Sequence, residues 1–190
     1  MIRAGHRVPA VLLLLASAAA LATAIALLAG RDAHAAPNLV SNGAFDSGVA
    51  GWSANNVDTT LSFDAAAGNP AGSALVQASS GVAPITAEAI SGCVDLTAAG
   101  AGTYQLAADV LLPTSDAAGD VAAVSVDLYT DAACTTSAGV TASASTATRS
   151  NAWQALSTPR IVGTELGARV RLTLTAGTLG DAPRCRNAPR

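Results

Sequence analysis

A chain of 190 residues with 12% charged and 3% aromatic side chains, rich in Ala, Gly, Ser, Thr and Val, suits one domain of short strands and small-residue turns better than amphipathic helices. All ten basic residues are Arg, and seven of them follow residue 148, whereas residues 36–148 hold ten acidic side chains and no basic one. So few cations, without aromatic residues between them, argue against nucleic acid as a partner. Both histidines, His6 and His34, precede residue 36. The remainder can therefore form no Ser-His-Asp or Cys-His centre and no His-ligated zinc site.

Residues 1–7 carry Arg3 and Arg7, residues 8–30 form a continuous apolar run, and Ala33-His34-Ala35 has the small-x-small pattern of a signal-peptidase site. The expectation is a helical signal peptide over 1–35, cut to leave a domain beginning at residue 36. The apolar run of 23 residues is longer than the usual ~7–15. An uncut leader would act as an anchor, and only then would the protein engage a membrane. Cut or uncut, the domain is placed outside the cytoplasm: secreted, periplasmic or on the cell surface.

Beyond the leader, apolar and polar residues alternate with a period of two, which predicts strands over 57–64, 73–78, 85–90, 103–112, 121–130, 140–144, 153–158 and 168–175. In 103–112, Tyr104, Leu106, Ala108 and Val110 share one face, with Gln105 and Asp109 on the other. In 121–130, Val124, Val126 and Leu128 point inward, and Ser125, Asp127 and Tyr129 outward. In 168–175, Val170, Leu172 and Leu174 oppose Arg169, Arg171 and Thr173. Strands spaced in this way by Gly, Pro and Asp predict an all-β fold, an antiparallel β-sandwich over 36–176. Residues 177–190 show no such pattern and read as an irregular tail.

The start of that domain reads Asn38-Leu39-Val40-Ser41-Asn42-Gly43-Ala44-Phe45-Asp46 and closes with Gly51-Trp52. This opening resembles that of the family 4/9 (CenC-like) carbohydrate-binding modules, within the galactose-binding-like superfamily. The resemblance implies a jelly-roll sandwich with Phe45, Trp52, Tyr104 and Trp153 in or near its core. It implies a non-catalytic module that binds an extracellular glycan. It also places a structural calcium near Asp46, whose partner carboxylate in such modules comes from a closing strand with a Phe-Asp-Asp/Asn-Val-like run. Residues 177–190 contain no such run, which leaves Asp46 as the one nameable calcium ligand and an open edge beside the first strand.

Sequence alone leaves the pairing of three cysteines open. The settings of Cys93 and Cys134, each at a strand end, resemble those in similar secreted sandwich domains and imply a Cys93–Cys134 disulfide, stable in an oxidising compartment. Cys185 is then the odd thiol, on the tail between Arg184 and Arg186, whose charge favours a thiolate. With no His to serve it, it reads as an unpaired cysteine, not a nucleophile.

Tyr129 is the aromatic side chain left pointing outward. With Gln105, Asp109, Asp127, Arg169 and Arg171 it is the candidate for a glycan-binding face. The alternative is an extracellular structural or protein-interaction sandwich, whose polar side is simply solvated. No acidic pair sits in a pattern suited to glycoside hydrolysis. Asp116 and Asp120 flank a Gly-containing turn and read as solubilising loop residues. The chain is therefore expected not to be an enzyme and to need no cofactor, structural calcium aside.

Overall fold

The computed structural model describes residues 38–68 and 71–187, so the leader lies outside the described residues. Thirteen strands and no helix form in them, and every pairing is antiparallel. One sheet, sheet A, orders its strands as β1 (Trp52–Ala54), β4 (Ile85–Ser91), β12 (Gly167–Ala176), β8 (Val121–Tyr129) and β9 (Ser137–Thr146), with the short β5 (Val94–Asp95) on the start of β12. The other, sheet B, orders β10 (Gln154–Ser157), β7 (Ala107–Leu111), β13 (Arg184–Asn187), β3 (Ser73–Ala78) and β2 (Thr59–Asp64). A two-stranded ribbon pairs β6 (Gly102–Tyr104) with β11 (Ile161–Gly163).

The predicted alternation accounts for the inner faces. Ala122, Val124, Val126 and Leu128 of β8 are buried, as are Ala168, Val170, Leu172, Leu174 and Ala176 of β12. Ala74, Val76 and Ala78 of β3 and Ala108 and Val110 of β7 belong to the same core from sheet B. Two sheets apolar on one side and polar on the other bury those sides against each other, which is an antiparallel jelly-roll sandwich.

The opening stretch seals one side of this core. Phe45 is 1% exposed and its ring lies 5.1 Å from that of Trp52, tilted by 52°. Asn42 and Phe45 both have positive φ, a turn conformation that Asn tolerates. The Asn42 side-chain amide donates to the carbonyls of Gly48 (3.0 Å) and Ala50 (2.9 Å), closing the loop that presents Phe45. Gly72 passes beneath it with φ +123°, and a Cβ there would sit 2.4 Å from the Phe45 carbonyl oxygen. Gly72→Ala should therefore cost at least about 2 kcal/mol, from backbone strain together with the clash. A denaturant titration against wild type checks this, and an unchanged midpoint would show that the loop yields freely.

Three expectations need correction. The segment 177–190 is not an irregular tail, because residues 184–187 form β13 in the middle of sheet B, bonded to β7 on one side and β3 on the other. The sandwich thus has its closing strand, and β7 and β3 are not left with an open gap between them. Arg-Cys-Arg-Asn hides this from sequence because three of its four residues are polar and so short a strand shows no apolar alternation. Cys185 is 2% exposed, and burial pushes its thiol up to about 12, so the flanking arginines do not make it a thiolate. Arg184 instead donates from Nε to Asp64 Oδ2 at 2.7 Å, and this bond holds the Asp64 carboxyl below its ordinary range.

The predicted strand 103–112 is broken into β6 and β7. At the break, the Thr158 hydroxyl accepts from the Leu106 N–H at 3.1 Å, and the Thr158 N–H donates to the Leu106 carbonyl at 2.9 Å. Finally, Asp116 and Asp120 are not solubilising: they are 8% and 0% exposed.

Candidate glycan-binding face

The outer face of sheet A carries most of the polar side chains that the alternation predicted to point outward. Register places Arg169 opposite Asp127, and Arg171 opposite Ser125 on one side and Ile90 on the other. Arg171 reaches diagonally in both directions: its Nη1 donates to Glu88 Oε1 at 3.0 Å, and its Nε donates to Asp127 Oδ2. Asn55 Nδ2 donates to the second Glu88 oxygen, and Thr141 Oγ1 donates to Asp127 Oδ1 at 2.8 Å. The hydrogen bond to Asp127, and then the one to Glu88, raises the Arg171 guanidinium above its ordinary value. This centre is a charge network spanning β4, β12, β8 and β9, with both carboxylates satisfied internally. Such a network orders a face more than it recruits a ligand.

Tyr129 lies at one end of the same face, where β8 finishes. The Arg169 guanidinium carbon stands 6.0 Å from the centre of its ring, a cation–π contact. Tyr129 pairs with Gly167 on β12 and Ser137 on β9, and its carbonyl accepts from the Leu166 N–H at 3.0 Å. Arg169 Nε and Glu165 Oε2 are buried polar atoms without a hydrogen-bond partner. Glu165, one residue before Leu166, was not singled out from sequence, since a lone acid in a loop carries no pattern.

The six candidate residues do not share one face. Tyr129, Asp127, Arg169 and Arg171 stand together on sheet A. Asp109 stands on β7 of sheet B, opposite Ala155 and Arg186 in register and on the polar side of that sheet. Gln105 lies at the break between β6 and β7, where its Nε2 donates to the Thr158 carbonyl at 2.9 Å. Alternation separates inward from outward but not one sheet's outside from the other's.

The predicted disulfide is present, joining Cys93 and Cys134. It links the segment between β4 and β5 to the loop after β8, close to Tyr129. Asp131 organises that loop: its carboxylate accepts from the N–H groups of Ala133, Thr135 and Thr136. These bonds hold the Asp131 carboxyl below its ordinary range. The expected calcium at Asp46 finds no matching ligand set. Asp46 is exposed on the opening loop, and among the described residues no three His, Cys, Asp or Glu side chains are grouped to hold a metal ion.

No protein-family model matches this chain, and no curated protein matches it in sequence. Solved structures do share its architecture. The C-terminal family 22 carbohydrate-binding module of Clostridium thermocellum Xyn10B superposes with a TM-score of 0.53 at 14% identity, over 80% of this chain and 94% of that one. The two share a fold. A family 16 carbohydrate-binding module gives the same picture, with a TM-score of 0.52 at 19% identity over 79% of this chain and 96% of the other. The sandwich also recurs inside larger proteins. The enzymatically active domain of bacteriophage CBA120 tailspike protein 4 matches with a TM-score of 0.58 and 12% identity over 79% of this chain, which spans only 20% of that structure. These likenesses are of the module fold, and they do not distinguish family 4/9 from its structural neighbours.

Proposed function

We propose that this carbohydrate-binding-module sandwich is a non-catalytic, extracytoplasmic glycan-binding module of the family 4/9 type, holding a polysaccharide across the Tyr129 end of the outer face of sheet A. The observation that carries this reading is the conjunction there of the Tyr129 ring and the Arg169 guanidinium, whose carbon lies 6.0 Å from the ring centre. A sugar offers what such a place takes: a C–H face for the ring and hydroxyls for the charged groups. Structural neighbours that include a xylan-binding domain support the ligand class, and the disulfide supports an oxidising compartment.

The second reading, a structural or protein-interaction sandwich without a sugar site, is favoured by a specific observation. The central Arg171–Glu88–Asp127 network spends its hydrogen bonds on itself. Retention of the folded, oxidised chain on xylan and other insoluble polysaccharides separates the two. Tyr129→Ala should weaken retention at least about tenfold, roughly 1.4 kcal/mol, with the unfolding midpoint unchanged. Asp109→Ala, on the other sheet, should leave retention intact. If wild type is not retained by any polysaccharide tested, the structural reading stands.

A further inference from the structure

Buried carboxylates meet where the connection from β7 to β8 touches the connection from β12 to β13. Asp116 and Asp120 lie on the first and Asp181 on the second; they are 8%, 0% and 8% exposed. Asp116 has a donor on each oxygen, the Ser115 hydroxyl on Oδ1 at 3.4 Å and the Ala182 N–H on Oδ2 at 3.4 Å. Asp181 Oδ2 accepts from the Thr178 hydroxyl at 2.5 Å and the Thr178 N–H at 3.2 Å. Asp120 Oδ1 accepts from the Gly177 N–H at 2.8 Å, but its Oδ2 is buried with no hydrogen-bond partner. The side chain lying against the Asp120 carboxyl is the Asp181 carboxyl.

Two ionised carboxylates have no donor to offer each other, and the nearby cations are engaged elsewhere. None of the three acids takes part in an ion pair among the described residues. Arg184 on β13 is committed to Asp64 at 2.7 Å, and its charge acts on Asp116. Arg149, between β9 and β10, donates to the Asp116 backbone carbonyl at 2.6 Å. One proton resolves the conflict. Carried on Asp120 Oδ2 and donated to Asp181, it supplies the missing donor and cancels one of two adjacent like charges. Burial, and after it the Asp181 carboxyl, hold the Asp120 carboxyl above its ordinary range.

We propose that Asp120 and Asp181 form a proton-held latch on β13. With the proton in place, the residues leading into β13 are fastened to the β7–β8 connection. Without it the two charges repel, and the strand is released more often. The latched segment is the one that seats β13, because the Asp181 and Pro183 carbonyls accept from the Ala78 and Val76 N–H groups of β3. A carboxyl that keeps its proton longer in the folded state stabilises that state most at low pH, and the contribution fades as pH rises through its raised value. Asp116, raised chiefly by burial, acts in the same direction. Asp64, Asp95 and Asp131 lie below their ordinary range and act in the opposite one, losing their contribution as pH falls. A whole-protein pH profile mixes the two, so the latch is read at β13 itself.

Cys185, the one cysteine outside the disulfide, is 2% exposed on that strand, so its alkylation by a maleimide reports release of β13. The rate is measured on the full, oxidised chain and divided by that of the same chain unfolded in denaturant at the same pH. Between about pH 5 and about pH 8 this ratio should rise at least about tenfold in wild type, the factor that one pH unit of retained proton binding supplies. Asp120→Asn replaces the protonated acid by an amide of the same shape, able to accept from Gly177 and to donate to Asp181. Its ratio should stay at the acidic wild-type level throughout. Asp181→Asn supplies the donor from the other side and gives the same reading if the first variant fails to fold. A wild-type ratio that does not change with pH overturns the proposal. So does an amide variant that keeps the wild-type pH response, or one that labels faster than wild type at the alkaline end.

Discussion

A chain ended after Gly177 should fail to fold. The truncation removes β13, which has hydrogen-bonded partners on both sides in the centre of sheet B. Without it the sheet falls into two separate pairs, β10 with β7 and β3 with β2, and neither pair is independently stable in water. The backbone donors and acceptors facing the gap would need new partners or water inside a core. The N–H groups of Val76 and Ala78 lose the Pro183 and Asp181 carbonyls, and the burial of Cys185 is lost with them. The combined penalty exceeds the ~5–15 kcal/mol that holds a typical domain together. Near-UV circular dichroism and a cooperative denaturant transition are the readouts, and both should disappear. A truncated chain that kept a cooperative transition near the wild-type midpoint would mean that β7 and β3 close directly on each other.

The second large effect is loss of the Cys93–Cys134 bridge. It spans a sequence separation of 41, and loop-closure entropy for that length is worth roughly 4 kcal/mol. The surroundings make the site intolerant of rearrangement: a Cβ on Gly167 would stand 2.9 Å from Cys134 Sγ and 2.4 Å from the Asp131 carbonyl. Cys93→Ala/Cys134→Ala should therefore lower unfolding stability by about 4 kcal/mol while the fold survives, measured by denaturant titration beside the oxidised wild type. The bridge closes a loop next to Tyr129, so the variant should also lose polysaccharide retention before it loses its far-UV spectrum. A loss below about 1 kcal/mol would show that the Asp131-centred turn and the short pairing of β5 with β12 already hold the loop.

Particular strands show how far the sequence could be read. β3 was predicted over 73–78 and forms over those residues, and β8 and β12 differ from prediction by one residue at an end or at each end. Each combines β-branched or leucine side chains inside with polar ones outside, and that contrast is strong over eight or more residues in the longer two. The strand expected over 140–144 extends over Ser137–Thr146, because its Ala, Ser and Thr give little contrast between faces. In the candidate site, Tyr129, Asp127, Arg169 and Arg171 were legible as outward-facing. Glu88 and Asn55 were not recognised as part of their network. What joins them is the pairing of β12 with β4, a contact between residues some 80 positions apart such as Arg171 and Glu88.

The sequence by itself determined the all-β class, the inward and outward faces of the long strands, and the absence of histidine chemistry after residue 34. It also carried, through its resemblance to sandwich modules, the right pair of cysteines. These are local properties: a period of two, a composition, a short motif. Tertiary structure alone decided that Arg184–Asn187 completes sheet B, that Gln105 and Asp109 lie away from Tyr129, and that Asp116, Asp120 and Asp181 are buried together. Alternation along a strand says which side chains turn inward. Which strands lie beside it is set by burial and backbone pairing across the whole chain, which no local window contains.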